Sequence, residues 1–144
     1  MDYVFADATI RERMAIEWGQ MEAAHLHFDD GFTILAVQLG EIVGFLAVQW
    51  RTFPSPLMGT REGFINIIEV KDGHRRQGIA RSLISLAMTR AQEERVYQLR
   101  AWSSDDKVEA IPMWKALGFG LCPASTYPRG QEVKGYFVAR VFAS

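Results

Sequence analysis

The chain has 144 residues, 49% of them apolar, and a formal net charge of −1; this fits one globular domain, which we expect to span residues 1–144, and excludes a disordered or fibrous chain. The near-neutral balance argues against a nucleic-acid partner, because nucleic-acid-binding surfaces carry an excess of basic residues. The single cysteine, Cys122, excludes an internal disulfide and fits a reducing compartment.

The N-terminal segment carries no targeting signal that we recognise. Residues 1–7 lack the basic stretch followed by an apolar core that is typical of a signal peptide. The longest apolar run, Ile42–Val48, is far shorter than the roughly 20 residues that span a bilayer. We therefore expect a cytoplasmic protein with no membrane partner.

The first quarter of the chain predicts one strand and two helices. Tyr3–Ala6 is a short strand candidate. Thr9 followed by Glu12 has the spacing of a capping box, so the first helix is predicted to begin at Thr9 and to end at about Gly19. A second short helix is predicted over Met21–Phe28.

The next segment predicts a hairpin and a further strand. Phe32–Leu39 and Ile42–Trp50 are apolar runs rich in β-branched residues, and the Gly40 turn joins them. Arg51–Gly63 contains Pro54, Pro56 and Gly59 and is predicted to be a loop. Phe64–Val70 is predicted to be the next strand.

The second half predicts two helices alternating with strands. Apolar residues recur at helical spacing over Gly78–Glu94, and a strand follows at Tyr97–Trp102. The next helix ends at Leu117, with Gly118 as its C-terminal stop. Gly135–Phe142 is predicted to be the last of two final strands.

The resulting order is β-α-α-β-β-β-α-β-α-β-β, a mixed α/β (α+β) fold with helices packed on a sheet. Pro112 lies inside the second of the later helices and removes a backbone donor. We expect it to kink that helix unless the first turn begins near Glu109, where the missing donor is not needed.

The turn between the fourth strand and the long helix concentrates positive charge. Residues 70–81 read VKDGHRRQGIAR. A glycine turn that enters a helix exposes the first backbone N–H groups, and Gly78 has no Cβ to keep a ligand away. Arg75 and Arg76 add donors suited to phosphate. Neither a P-loop lysine nor a G-x-G-x-x-G pattern is present. Two interpretations stay open, a phosphate site and a solvated basic turn.

Three segments resemble the GNAT superfamily of N-acetyltransferases. Residues 75–80, RRQGIA, fit its acyl-CoA loop, Arg/Gln-x-x-Gly-x-Gly/Ala, and Ile68–Val70 resembles the strand before it. Ala110–Phe119 is similar to the family's A-x-x-x-Y-x-x-x-G-F segment, and Glu41–Phe45 to its third strand. The resemblance covers nearly the whole chain in the right order.

The resemblance implies a mixed, mostly antiparallel sheet that is splayed between strands 4 and 5 and flanked by helices. It implies acetyl-CoA as acyl donor in the resulting cleft, and no metal. The pyrophosphate would sit on backbone N–H groups of residues 77–80, with the pantetheine arm beside Glu69 and Val70. The residues that it assigns to acetyl-CoA are Val70, Arg75, Arg76, Gln77, Gly78, Ile79, Ala80, Lys107 and Trp114.

Glu69 is the first candidate for the catalytic base, because the resemblance places it beside the thioester. Strand alternation could instead point its side chain towards solvent or Arg75. The other candidates for a base or a water-mediated relay are Glu62, His74, His25 and His27, although exposed loop histidines commonly have no role. The presumed acceptor region around His25 and His27 also contains four carboxylates, Glu17, Glu22, Asp29 and Asp30. They could attract a cationic acceptor, or they could be a solvated charge cluster without a role.

Two positions depart from the family pattern. Trp114 stands where the family often has a tyrosine that protonates the thiolate, and indole has no proton of suitable pKa. Lys107 stands where the family often has an asparagine beside the pantetheine arm. Transfer by proximity, with water as proton carrier, remains compatible with both changes.

We therefore expect an N-acetyltransferase that moves an acetyl group from acetyl-CoA to a small-molecule amine. One alternative is a protein N-terminal or lysine acetyltransferase, which an open peptide-sized groove would favour over a pocket closed by the Arg51–Gly63 loop. Another is a regulatory module that binds acyl-CoA without catalysis, favoured by the departures at Lys107 and Trp114. The sequence does not determine whether the chain forms a homodimer.

Overall fold

A computed structural model describes residues 1–142 as one seven-stranded sheet with helices on its two faces. The strands are β1 (Asp2–Phe5), β2 (Gly31–Gln38), β3 (Glu41–Thr52), β4 (Arg61–Val70), β5 (Gln98–Ser104), β6 (Gly120–Thr126) and β7 (Val133–Val141). The α-helices are α1 (Arg11–Glu17), α2 (Gln20–Ala24), α3 (Ile79–Glu93) and α4 (Ala110–Ala116), and short 3-10 turns lie at Ala8–Ile10 and Pro128–Gly130.

The sheet is mostly antiparallel, as the family resemblance implies. Its strand order is β1-β2-β3-β4-β5-β7-β6. All neighbouring pairs run antiparallel except β4 and β5, which are parallel because α3 connects them as a crossover. The predicted mixed α/β fold with a mostly antiparallel sheet is therefore confirmed.

The parallel pair β4–β5 is short. Register is recorded only for Gly63 with Leu99 and for Phe64 with Arg100. Beyond Phe64, β4 continues for six residues, while β5 beyond Arg100 continues to pair only with β7. The strands thus diverge, and the edge of β4 that faces β5 is unpaired over residues 65–70.

A β-bulge changes the side-chain alternation of β4. Ile65 pairs with Val48 and Ile67 pairs with Ala47, so Asn66 is the extra residue. Ile65 and Ile68 consequently lie in the same core cluster, although three positions separate them. Every side chain after the bulge faces opposite to the direction that regular alternation would give.

The sheet has two faces with separate cores. We call one the α3 face, because α3 covers it with apolar residues spaced every three or four positions: Ile79, Leu83, Ile84, Ala87 and Ala91. We call the other the α1 face, where Met14 and Leu26 pack on Leu35 and Phe45. Within residues 1–142 no helix has the length and apolarity of a membrane span.

Three local predictions differ from the structure. Asp7, not Thr9, caps the N-terminal turn, because its carboxylate accepts from the Thr9 backbone N–H. The loop predicted over Arg51–Gly63 is shorter, since Thr52 pairs with Arg61 and the strands extend up to the proline-containing tip. The helix predicted over Met21–Phe28 spans only Gln20–Ala24.

The end of the chain completes the sheet with an edge strand that the sequence did not locate. β6 contains Pro123, which a strand tolerates at a sheet edge, and its mostly exposed residues show no core pattern. Pro112 lies in the first turn of α4, whose N-cap is Glu109, so its missing N–H costs no helical hydrogen bond.

Docking of α3 on the sheet should dominate stability. Leu83→Ala removes a fully buried side chain and should lower the free energy of unfolding by about 2–5 kcal/mol. Arg81→Ala, at an exposed position of the same helix, should change it by less than about 0.5 kcal/mol. Urea unfolding measures both; equal midpoints for the two variants would contradict this account of the core.

Candidate active site

The turn between β4 and α3 presents free backbone to a ligand. Gly78 is the N-cap of α3 with φ 76° and ψ 13°, in the left-handed region that favours glycine. No side chain of residues 1–142 caps the helix, so its first N–H groups are available to an anion. A Cβ built at Gly78 would meet no atom within 4 Å, which shows open space beside the backbone.

Both arginines of the turn lie on the surface. Arg75 pairs with Asp72, its Nη2 at 3.2 Å from Oδ1, and Arg76 Nη2 donates to Glu109 Oε1 at 2.6 Å. The second pair links the turn to the N-cap of α4. Exposed ion pairs contribute little stability, so either guanidinium can turn towards a phosphate at small cost.

Glu69 lies on the α1 face because of the bulge at Asn66. In a regular strand Glu69 would share the face of Ile65, in the core under α3. Partial burial raises the pKa of the Glu69 carboxyl, and the negative charge of Glu22 raises it further. The positive charges of Lys107 and Arg75 lower this pKa, but by less. The result is a carboxylate of increased basicity beside the unpaired edge of β4.

His27 is buried, contrary to the expectation of an exposed loop histidine. It is 9% exposed, and its backbone and Thr33 exchange hydrogen bonds. Its Nδ1 lies 2.9 Å from Asp30 Oδ2, and its Nε2 lies 2.9 Å from Asn66 Nδ2. A neutral ring that donates from Nδ1 to Asp30 accepts the Asn66 amide at Nε2. His27 thus ties the segment after α2 to the bulge of β4.

Asn66 is a candidate site residue that the sequence did not predict. Its only signal was a polar side chain within an otherwise apolar stretch of β4, FINII. The amide nitrogen is used by His27, and the amide oxygen has no hydrogen-bond partner within residues 1–142. His25, by contrast, bonds through Nδ1 to the Met21 carbonyl of its own helix, at 2.7 Å.

Glu62 serves an ion pair and is unsuited to act as a base. It is 3% exposed, and its two oxygens accept from Nε and Nη2 of Arg100 at 2.8 and 2.7 Å. Burial raises the pKa of this carboxyl, but the hydrogen bonds from Arg100 and Gln98 outweigh it and hold the pKa below its usual range. Glu62 therefore stays ionised and occupied.

Trp114 lies in the core under α4. It is 3% exposed, its ring meets that of Phe119 edge-on at 4.8 Å, and Nε1 is buried without a partner within the described residues. Its contact with acetyl-CoA stays a prediction, as does that of Lys107, an exposed residue before α4 whose charge acts on Glu69. No group of three metal-ligating side chains occurs within residues 1–142.

Comparison with known proteins gives one family and one fold. The sequence model of the acetyltransferase (GNAT) family matches residues 3–119. A ribosomal-protein-alanine N-acetyltransferase from Brucella melitensis is 16% identical with a TM-score of 0.73, over 99% of this chain and 100% of that one. A putative acetyltransferase, yncA, from Salmonella typhimurium, solved with acetyl-CoA, is 16% identical with a TM-score of 0.75, over 100% and 95%.

A plant structure has the same fold. NAA60 from Arabidopsis thaliana, in complex with acetyl-CoA, is 15% identical with a TM-score of 0.75, and the match covers 97% of each chain. Comparison with curated proteins gives no significant match.

A side chain at Gly78 should block the anion site. Asparagine tolerates the left-handed conformation, so Gly78→Asn adds a side chain without forcing the backbone to change. We expect it to weaken CoA binding by about tenfold or more, measured by calorimetry. Gly40→Asn is the matched control, since Gly40 has φ 78° and an equally open Cβ position in the β2–β3 turn. Unchanged CoA affinity in folded Gly78→Asn protein would exclude a phosphate at this turn.

Proposed function

The chain belongs to the GNAT family of acetyltransferases, and from that premise we propose that it transfers an acetyl group from acetyl-CoA to the amine of a small-molecule acceptor, within a single domain. One observation carries the proposal. β4 separates from β5 beyond Phe64, and the unpaired edge of β4 leads directly to the uncapped turn at Gly78. An open strand edge beside an anion site suits a long ligand with a phosphate at one end.

In this arrangement acetyl-CoA lies along β4. Its pyrophosphate accepts from the backbone N–H groups of residues 77–80, with Arg75 and Arg76 neutralising charge. Its pantetheine arm pairs with the backbone near Glu69 and Val70 as an added strand would, because amide groups satisfy the unpaired N–H and C=O groups of β4. This direction brings the thioester towards the bulge.

Transfer forms a bond from the amine nitrogen to the acetyl carbon and breaks the carbon–sulfur bond of the thioester. The amine must first lose a proton, since a lysine-like amine has a pKa of about 10.4. Glu69, whose carboxyl pKa is raised, takes that proton directly or through water. A backbone N–H of the splayed strand stabilises the oxyanion. The attacking nitrogen then releases its second proton to water or to the departing thiolate, whose pKa of about 8.5 lets it leave without a dedicated general acid.

A small acceptor is supported by the concentration of polar groups near the bulge. His27, Asn66 and Arg100 lie on or beside the short stretch of β4 where the strands diverge. The amide oxygen of Asn66 is free to accept a hydrogen bond from an amine. These groups can recognise a compact molecule without a long groove.

A protein N-terminus is the second candidate acceptor. The Phe53–Thr60 loop contacts the start of β5 and solvent, because Phe53 packs edge-on against Tyr97 and the Met58 side chain is 74% exposed. A face left open in this way can also admit a peptide, and the Brucella melitensis neighbour is named for such an acceptor.

A panel of amines decides between the acceptors. Thiol release from acetyl-CoA is measured with small amines and with short peptides that carry free N-termini. Release with small amines supports the proposal, and release with peptides alone favours protein acetylation. Calorimetric binding of acetyl-CoA without release for any amine would leave only a regulatory acyl-CoA-binding module.

Replacement of Glu69 should slow the chemical step. Glu69→Gln keeps the shape of the side chain but cannot take a proton, so kcat should fall by roughly a hundredfold or more with CoA affinity unchanged. The acidic limb of the pH–rate profile should disappear. A variant with wild-type turnover across the pH range would remove Glu69 from the mechanism.

Replacement of Glu22 should move the acidic limb without abolishing activity. Its negative charge raises the pKa of the Glu69 carboxyl, so Glu22→Gln should lower that pKa and shift the limb to lower pH. Glu17→Gln is the control, because it removes an equal charge from a residue that pairs with Arg13. A limb that stays in place in Glu22→Gln would mean that another group titrates.

Trp114→Tyr tests whether a missing general acid limits turnover. Because the thiolate leaves readily, a phenol at this buried position should leave kcat within about tenfold of wild type. An increase of several hundredfold, in steady-state kinetics on an accepted amine, would show that the natural protein is a poor catalyst and would favour the regulatory module.

A further inference from the structure

Two arginines and two aromatic rings form a cluster on the α1 face, where β3, β4, β5 and β7 meet. The Arg51 guanidinium lies over Phe64, with Cζ 3.9 Å from the ring centroid. The Arg100 guanidinium lies against both Phe64 and Phe137, at 4.8 Å from each centroid. We call these four residues with Glu62 the arginine cluster.

The cluster contains two positive charges and one negative charge. Glu62 neutralises Arg100 through two hydrogen bonds. Arg51 donates from Nε only to Gln49, at 3.0 Å, and no carboxylate within residues 1–142 lies within 4 Å of its nitrogens. Two guanidinium groups thus face one carboxylate. Stacking on Phe64 restrains the Arg51 fork, while its terminal nitrogens make no hydrogen bond to a described residue.

The surplus charge lies close to the expected reacting centre. Phe64, which carries both guanidinium groups, is two residues from the bulge at Asn66, or roughly 6–7 Å along the strand. At the other side of the bulge lies Glu69, on which the charges of Glu22, Lys107 and Arg75 all act. An acceptor whose amine lies at the bulge would therefore place an anionic far end near the Arg51 cation.

We propose that Arg51 binds a carboxylate of the acceptor, so that the substrate is a small amino acid whose amine and carboxylate are several bonds apart. This inference rests on the proposed acetyl transfer at the bulge. A guanidinium matches a carboxylate with two parallel hydrogen bonds, and Arg51 has both terminal nitrogens available. Its place on Phe64 orders the fork before binding, which lowers the entropy lost when the ligand binds.

The first test compares 5-aminopentanoate with its uncharged amide as acceptors. Wild-type kcat/KM should be higher for the carboxylate by at least about tenfold, with the difference mainly in KM. The preference should fall to near one in Arg51→Gln, and Arg51→Lys, which keeps the charge but not the fork, should recover only part of it. No preference in wild type, or an unchanged preference in Arg51→Gln, would overturn the carboxylate site.

Arg61→Gln is the matched control. Arg61 begins β4 and pairs with Thr52, the residue after Arg51. Its guanidinium, however, lies over Trp50, which packs on the α3 face. Removal of this equal charge should leave the preference for the carboxylate intact. An equal loss in both variants would indicate a general effect of net charge and overturn a specific role of Arg51. Circular dichroism melts verify that each variant is folded.

A second measurement separates this inference from the proposed function. Calorimetric titration of N-acetyl-5-aminopentanoate and its amide, with CoA present, reports acceptor-site binding without turnover. An Arg51-dependent preference for the carboxylate without any acetylation would support the site and reject the proposed transfer. Acetylation of amines with no preference in either measurement would retain the transfer and reject the site.

Discussion

The divergence of β4 from β5 is the constraint on which the rest of the candidate site depends. The strands pair at Gly63 and Phe64 and then separate, so the edge of β4 that faces β5 carries unpaired backbone groups over residues 65–70. Such groups need water or a ligand as partner. β3 pairs with the other edge of β4 as far as Val70. This pairing keeps β4 extended, so its open edge can form hydrogen bonds with the amide groups of a ligand.

The bulge at Asn66 places an ionisable side chain, Glu69, beside that edge. It reverses the alternation, which leaves Ile68 and Val70 in the core and turns Glu69 to the α1 face, where burial and Glu22 raise its pKa. The hydrogen bond from Asn66 to His27 restrains the bulge from outside the sheet. One extra residue thus decides which side chains at the end of β4 lie on the α1 face and which lie on the α3 face.

Charge is distributed unevenly on the two sides of this bulge. Glu62 accepts two hydrogen bonds from Arg100. Arg51, which lies over Phe64, pairs with no carboxylate of residues 1–142, although its charge also acts on Glu62. Glu69 supplies the opposite sign towards the C-terminal end of β4. A dipolar acceptor would be oriented by this field before any specific contact forms, because the two charges attract its opposite ends.

The sequence alone determined what is local. The glycine turn at Gly78, the helical spacing of α3 and the β2–β3 hairpin follow from backbone freedom and hydrophobic period, which a chain carries without its fold. The tertiary structure decided what depends on distant partners. The polar Asn66 within FINII does not by itself indicate a bulge, so the direction of Glu69 could not be predicted. The contact of His27 with Asn66, 39 positions apart, likewise leaves no mark in the local pattern. The stacking of Arg51 and Arg100 on one ring likewise requires three strands to meet, and only folding brings them together.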